Sequence, residues 1–119
     1  MTAYLKTLEP PPGLAVARGT VDQELVAAGK LLFRQHGCVN CHASPIYTTA
    51  AVYDVGLADK SGNSEFNPPS LLGVSQRERF FHDGRGKTLR DVLAIFEHSL
   101  EQPLDDKELQ AILAFLDSL

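Results

Sequence analysis

Two cysteines and a histidine, arranged as C-x-x-C-H, constrain this chain more than any other feature of its sequence. The motif consists of Cys38, Cys41 and His42, and the chain contains no other cysteine. This spacing is typical of the covalent attachment of a c-type haem. Each thiol adds across one vinyl group of the porphyrin, and the two-residue gap lets one helical turn span both vinyl positions. His42 then follows as an iron ligand, so we expect one covalent haem c.

Four other interpretations of the motif compete with haem attachment. A redox dithiol uses C-x-x-C in a βαβ context, whereas this sequence reads as helical. A zinc site needs four ligands, usually with a second cluster at defined spacing, and His36, His82 and His98 form no such cluster. A disulfide across so short a loop would contribute little stability, and a chance match is the last alternative. We favour haem attachment.

Composition limits the class of protein and its partners. The chain has 119 residues and a net charge of −4, which indicates one small domain without the basic patch of a nucleic-acid-binding protein. No apolar run approaches the length of about 18 residues that spans a membrane. Thioether attachment takes place on exported apoproteins, so we expect a periplasmic location, although residues 1–8 carry no secretion signal.

A short repeat suggests how the chain is divided. Residues 3–8 and 114–119 share one pattern: small, aromatic, Leu, charged, hydroxyl, Leu. We interpret residues 1–19 as the tail of an upstream domain followed by a Pro-rich linker at 9–13, and residues 20–119 as a mono-haem domain. The alternative is that the two hexamers are unrelated ends of amphipathic helices.

Capping signals and apolar spacing predict three helices. The first begins at Asp22, a plausible N-cap, and ends at Gly37 just before the cysteines. The second begins at Thr88, which forms a capping-box pattern with Asp91, and the third follows a similar box after Pro103. The apolar positions recur at spacings of three and four: Leu25, Ala28, Gly29, Leu32, Phe33; Leu89, Val92, Leu93, Phe96; Leu109, Ile112, Leu113, Leu116.

The segment 44–73 between these helices predicts a long loop. It is rich in Gly, Pro, Ser, Asn and Asp, and we find no convincing strand. A structureless stretch of this length is tolerable only if a large flat group gives it a surface to wrap. We therefore expect an all-α fold with few helices and long loops around one covalent haem.

Four further stretches resemble a known family. They are similar to the second haem domain of bacterial di-haem cytochrome c peroxidases and of the related enzymes that mature methylamine dehydrogenase. The matching segments are 53–56, 66–74, 80–85 and 88–89. The resemblance covers roughly the last 90 residues and implies a cytochrome c-like fold. It also implies that Gly29 and Phe33 of the first helix cross Phe115 of the last.

The sequence departs from that family at the second axial iron ligand. The peroxidases have a Met there and the methylamine-related enzymes a Tyr, whereas this chain has Phe96, and its only methionine is Met1. His98 is the best substitute, and His82 or an open position are the alternatives. On a continuous helix His98 points about 180° from Leu89, so the helix has to end near residue 97 or turn another face to the haem.

The two histidines also have ordinary interpretations. His98 would otherwise be a solvated surface residue. His82 would order its loop through a backbone hydrogen bond while the next two residues make a turn, and we favour that role for it.

Four other residues are candidates for contact with the cofactor. Arg79 and Arg85 are candidates to pair with haem propionates, because guanidinium groups suit carboxylates, although plain surface charge is an equal alternative. Pro68 or Pro69 is placed to offer a carbonyl that accepts the Nδ1–H of His42 and fixes the ring.

The favoured function is electron transfer through a single six-coordinate haem, as part of a larger exported redox protein. Its partner would be a redox protein or an upstream haem domain. The resemblance leaves a di-haem peroxidase-like oxidase as an alternative. With one C-x-x-C-H motif, however, we expect no substantial peroxidase activity from this chain alone. A haem-based ligand sensor with an open sixth position is the third hypothesis.

Overall fold

The computed structural model describes residues 2–119, so Met1 and the expectation that concerned it lie outside the described residues. Two longer helices, several single turns and one strand pair are joined by loops. In chain order they are α1 (Thr2–Leu5), α2 (Leu14–Ala17), α3 (Gln23–Gln35), a 3₁₀ turn (Cys38–Asn40), β1 (Tyr53–Asp54), β2 (Glu65–Phe66), a second 3₁₀ turn (Val74–Gln76), a π-helical segment (Asp91–Ile95) and α4 (Asp106–Asp117). None of the helices in residues 2–119 is long and apolar enough to cross a membrane.

The predicted all-α, cytochrome c-like fold is wrong. About 38% of the chain is helical, most of the rest is loop, and β1 and β2 form a two-stranded antiparallel sheet. Tyr53 lies opposite Phe66, and Asp54 lies opposite Glu65. Strands of two residues are too short for an alternating pattern to show in the sequence. The pairing satisfies backbone groups of the long loop that would otherwise have only water as a partner.

The start and end of α3 confirm the predicted caps. The Asp22 carboxylate accepts hydrogen bonds from the backbone N–H of Glu24 and Leu25, at 3.1 and 3.0 Å. At the other end, Gly37 adopts a left-handed φ of +73°, a conformation that glycine reaches without steric cost. The chain thus leaves the helix one residue before the first cysteine.

The crossing of α3 and α4 forms the centre of the core. A Cβ atom on Gly29 would lie 1.9 Å from the Ala111 carbonyl oxygen, so only glycine allows this approach. Beside it the rings of Phe33 and Phe115 meet edge to face, with centroids 5.2 Å apart. The contact predicted between these aromatic residues is confirmed. The buried apolar residues are Phe33, Val74, Leu93, Leu109, Ala111, Ile112, Phe115 and Leu116.

Both remaining capping boxes are also confirmed. Asp105 accepts from the backbone N–H of Glu108 at 2.8 Å, and the Glu108 carboxylate accepts from Asp105 N–H. Thr88 and Asp91 exchange the same pair of bonds, each 3.0 Å long. The helix that follows Thr88 widens to π geometry and ends at Ile95. Glu97 then takes a left-handed φ of +46°, which satisfies the expectation that the helix ends near this residue.

The two similar hexamers have opposite environments. In the C-terminal copy Phe115 is buried, with 3% of its surface exposed, whereas Tyr4 at the equivalent position of the N-terminal copy is 67% exposed. Gly13, at the end of the Pro-rich stretch, packs against the end of α4, where a Cβ would lie 2.8 Å from the Asp117 carbonyl oxygen. The division into residues 1–19 and 20–119 stays a prediction.

Candidate functional site

The three residues of the C-x-x-C-H motif lie on one tight turn at the wall of a cavity. The left-handed Gly37 redirects the chain into the 3₁₀ turn that starts at Cys38, and the backbone N–H of His42 donates to the Cys38 carbonyl oxygen at 2.9 Å. As a result Cys38, Cys41 and His42 all face the same cavity, whose volume is about 420 Å³. This size is within the range of cofactor and ligand pockets.

Apolar side chains from both long helices and from the loops line this cavity. They include Phe33, Leu71, Val74, Phe80, Leu89, Leu93, Ile112 and Leu116. Five of them belong to the buried core, so the cavity wall and the core are one continuous structure. A flat apolar group in the cavity would therefore complete the core as well as occupy a binding site.

A backbone carbonyl fixes the His42 ring. Its Nδ1 atom lies 3.0 Å from the carbonyl oxygen of Tyr47. Because a carbonyl only accepts, Nδ1 carries the proton of the neutral ring and Nε2 holds the lone pair that a metal would take. Burial lowers the pKa of His42, against smaller raising contributions from the carbonyls of Tyr47 and Pro69. The imidazole is therefore neutral near pH 7.

Tyr47 was not foreseen as the residue that orients His42. The carbonyl of Pro68 or Pro69 was expected to accept the Nδ1–H of His42, and both prolines do line the cavity. The Pro68 carbonyl, however, accepts from the Thr48 hydroxyl, and Pro69 acts on His42 more weakly than Tyr47 does. Tyr47 adopts a left-handed φ of +52°, and no local sequence signal marks a tyrosine for that conformation.

His98 faces the same cavity as His42. Its Nδ1 atom is buried, and among the described residues it has no hydrogen-bond partner. Burial lowers the pKa of His98, and the nearby His42 lowers it further. The structure thus brings together the two histidines that the sequence interpretation named as iron ligands, and leaves each as a neutral imidazole.

His82 also reaches the cavity wall but has partners of its own. Its side chain is 68% exposed, and Nε2 lies 4.0 Å from the Asp59 carboxylate. Its ring packs on Phe66, with centroids 5.4 Å apart. These contacts join His82 to a carboxylate and an aromatic ring, whereas the favoured interpretation expected a backbone hydrogen bond.

Both thiols are poor candidates for redox or thiolate chemistry. Burial raises the pKa of Cys38 to about 11 and also raises the pKa of Cys41. Reactive dithiols and thiolate metal ligands need the opposite shift, towards a lower pKa. Within residues 2–119 no group of three or more His, Cys, Asp and Glu side chains is placed to bind a metal ion together.

Three arginines, not two, contribute to the cavity. Arg79 and Arg85 line it as the sequence interpretation required, but Asp83 already engages the Arg85 guanidinium, with Nε 2.8 Å from Oδ2. Arg85 also donates to the Ala58 carbonyl at 2.5 Å, so it ties two loops together. Arg77 was missed; it lines the cavity, donates to the Ser70 carbonyl at 2.6 Å, and its charge lowers the pKa of His42.

Comparison with known proteins gives a structural likeness without a family. No known protein family and no curated protein matches this chain. A solved structure of hydrazine synthase from Kuenenia stuttgartiensis is similar, with a TM-score of 0.76 and 20% sequence identity over 98% of this chain. The match covers 52% of that chain, so this chain spans about half its length. At this identity the likeness establishes a shared fold and no more.

Proposed function

We propose that this chain is an electron-transfer domain that would hold one covalent haem c through Cys38 and Cys41, with His42 and His98 as the residues that bind its iron. The observation that carries the proposal is that these four residues face one apolar cavity. The bound haem would supply a one-electron couple between ferric and ferrous iron. The thiols, two neutral imidazoles and apolar walls are the donor set and surroundings that such a group requires.

The surrounding residues have roles that follow from their contacts. The Tyr47 carbonyl orients His42 and makes it a better ligand, because a bonded Nδ1–H increases the basicity of Nε2. The apolar walls exclude water from the iron. Arg77 and Arg79 are the candidates to pair with propionates, since Arg85 already has a carboxylate partner in Asp83.

Two histidine ligands favour electron transfer over the other functions considered. With both histidines bound to it, the iron would have no position left for a substrate, and a single C-x-x-C-H motif supplies no second haem. Imidazole in place of methionine lowers the redox potential, and axial ligands set haem potentials over a range of about 0.8 V. We therefore expect a potential below that of proteins with His–Met ligation.

The same proposal includes the protein's setting. Haem attachment to exported thiols favours the periplasm, and the electron partner would be a redox protein or an upstream haem domain. One observation supports an upstream domain: Tyr4, Leu5 and Leu8 are each more than half exposed.

Absorption and electron paramagnetic resonance spectra of the exported, purified protein test this function. We expect low-spin ferric haem in the wild type and high-spin haem in His98→Ala, whose ferrous form then binds carbon monoxide. His82→Ala is the matched control, because it removes another histidine of the cavity wall and should leave the spectrum unchanged. A colourless protein with the mass of the bare peptide would refute haem attachment. In a redox titration, a potential above that of proteins with His–Met ligation would refute His98 ligation.

A further inference from the structure

We propose that Phe81 is the positioning residue that holds His98 towards the iron. This inference rests on the proposed function, and it deepens it by naming what fixes the second axial ligand. Phe81 lies in the segment 80–85 that carries the family resemblance, but nothing in the sequence assigns it a role of its own. Its role follows from how the two histidines differ in their surroundings.

His98 lacks the hydrogen bond at Nδ1 that orients His42. Nδ1 of His42 meets the Tyr47 carbonyl at 3.0 Å, whereas Nδ1 of His98 is buried without a partner among the described residues. Metal-binding histidines almost always use the second nitrogen to fix the ring. Something other than a hydrogen bond therefore has to orient the His98 imidazole.

The backbone around His98 does not fix the orientation of its imidazole. Glu97 and Ser99, on either side of it, both adopt left-handed φ values of +46° and +53°. Such conformations are unfavourable for residues other than glycine and persist only where the surroundings impose them. The His98 N–H donates to the Val92 carbonyl at 3.1 Å, which fixes the backbone but leaves the side-chain torsions free.

The aromatic ring of Phe81 takes the place of the missing hydrogen bond. The Phe81 ring meets the His98 ring edge to face, with centroids 5.5 Å apart and planes at 68°. Phe96 meets the Phe81 ring in the same manner, at 5.1 Å and 75°. His98 is therefore held by one ring that is itself held by a second ring.

The Phe81 ring cannot easily move away from His98. A Cβ atom on Gly86 would lie 3.3 Å from two carbons of this ring, so the ring rests closely on the Gly86 backbone. The loop that carries both residues is closed by the backbone bond from Phe80 N–H to the Gly86 carbonyl, at 3.0 Å. Phe81 thus joins His98 to a closed loop.

Replacement of Phe81 by leucine in the haem-loaded protein tests the assignment. Loss of an edge-to-face contact should raise the fraction of His98-free haem by a factor on the order of ten. We expect a larger high-spin signal in the ferric protein and faster carbon monoxide binding in the ferrous protein. Leu113→Ala is the control: Leu113 packs on the core without lining the cavity, so its loss should lower the melting temperature without changing either haem signal.

The outcomes separate this inference from the proposed function. If the wild type is itself high-spin, His98 ligation fails and the role of Phe81 fails with it. If the wild type is low-spin and His98→Ala is high-spin, but Phe81→Leu leaves both haem signals unchanged as Leu113→Ala should, only the inference on Phe81 is overturned. If Phe81→Leu yields no haem-loaded protein, Phe96→Leu tests the assignment instead, because Phe96 holds the Phe81 ring. Faster carbon monoxide binding in Phe96→Leu supports the assignment, and an unchanged rate overturns it.

Discussion

The two sides of the cavity are built on different principles. The helical side consists of α3, the Cys38–Asn40 turn and α4, and the loop side consists of residues 44–104. Six of the eight buried apolar residues belong to the helical side. All four of the described non-glycine residues with positive φ belong to the loop side: Tyr47, Phe81, Glu97 and Ser99. The first side is stabilised by packing, whereas the second adopts backbone conformations that its own sequence disfavours.

Long-range polar contacts hold the loop side to itself. The Asn67 amide donates to the carbonyls of Thr49 and Ala51, at 2.9 and 2.8 Å, and the Ser70 hydroxyl donates to Ile46. Because each bond joins segments far apart in the chain, none is stable until the others form. If the proposed haem is attached to the helical side, it would give the loop side an apolar surface against which to fold.

The largest expected effect comes from removing the attachment. In Cys38→Ser/Cys41→Ser we expect amide exchange in residues 44–104 to accelerate by at least about a thousandfold relative to the haem-loaded wild type, with α3 and α4 affected less. Hydrogen exchange followed by mass spectrometry measures both regions in one sample. Equal loss of protection on both sides would remove the distinction between them.

A smaller but still large effect is expected at the helix crossing. Gly29→Ala places a methyl group where the Ala111 carbonyl lies, so α3 and α4 have to separate. We expect the free energy of unfolding to fall by about 3 kcal/mol, as for overpacked cores. Urea denaturation checks this, with Lys30→Ala, an exposed neighbour, as the control. A change below about 0.5 kcal/mol in Gly29→Ala would show that the crossing is not close-packed.

Loss of a helix cap should have an intermediate effect on the helical side. Asp105→Ala removes the carboxylate that accepts from Lys107 and Glu108, and we expect a loss of about 1 kcal/mol. Asp22→Ala at the start of α3 should cost a similar amount. Denaturation of both variants checks the claim that local capping stabilises this side. A negligible loss in both would mean that packing alone holds the helices.

The smallest expected effect is the pH dependence of the stability that Asp91 contributes on the loop side. Hydrogen bonds from Lys87 N–H and then from Thr88 lower the pKa of Asp91, so its ionised form stabilises the fold. This contribution is complete above the unfolded pKa of about 3.9 and is lost as the pH falls through the lower folded value. The stability difference between wild type and Asp91→Asn should thus be constant from about pH 5 to 7 and shrink below about pH 4. Equilibrium unfolding at each pH measures it, and a difference that persists in acid would contradict the assignment.

The sequence predicted the helical side well and the loop side poorly. Asp22, Gly37 and the Asp105–Glu108 box were found in advance, as was the contact of Phe33 with Phe115. The strand pair was not found, and it overturned the all-α prediction. In the site, Tyr47 and Arg77 were missed because their contacts depend on how distant loop segments meet.

By itself the sequence determined where the helices start and stop, and that Cys38, Cys41 and His42 share one turn. These features depend on residues no more than about four positions apart, whose preferences hold in almost any surroundings. Only the tertiary structure decided that His98 faces the cavity, that Tyr47 orients His42 and that Arg85 pairs with Asp83 while reaching Ala58. Such contacts join residues as far as 27 positions apart, and they become favourable only once the whole loop side is ordered around the cavity.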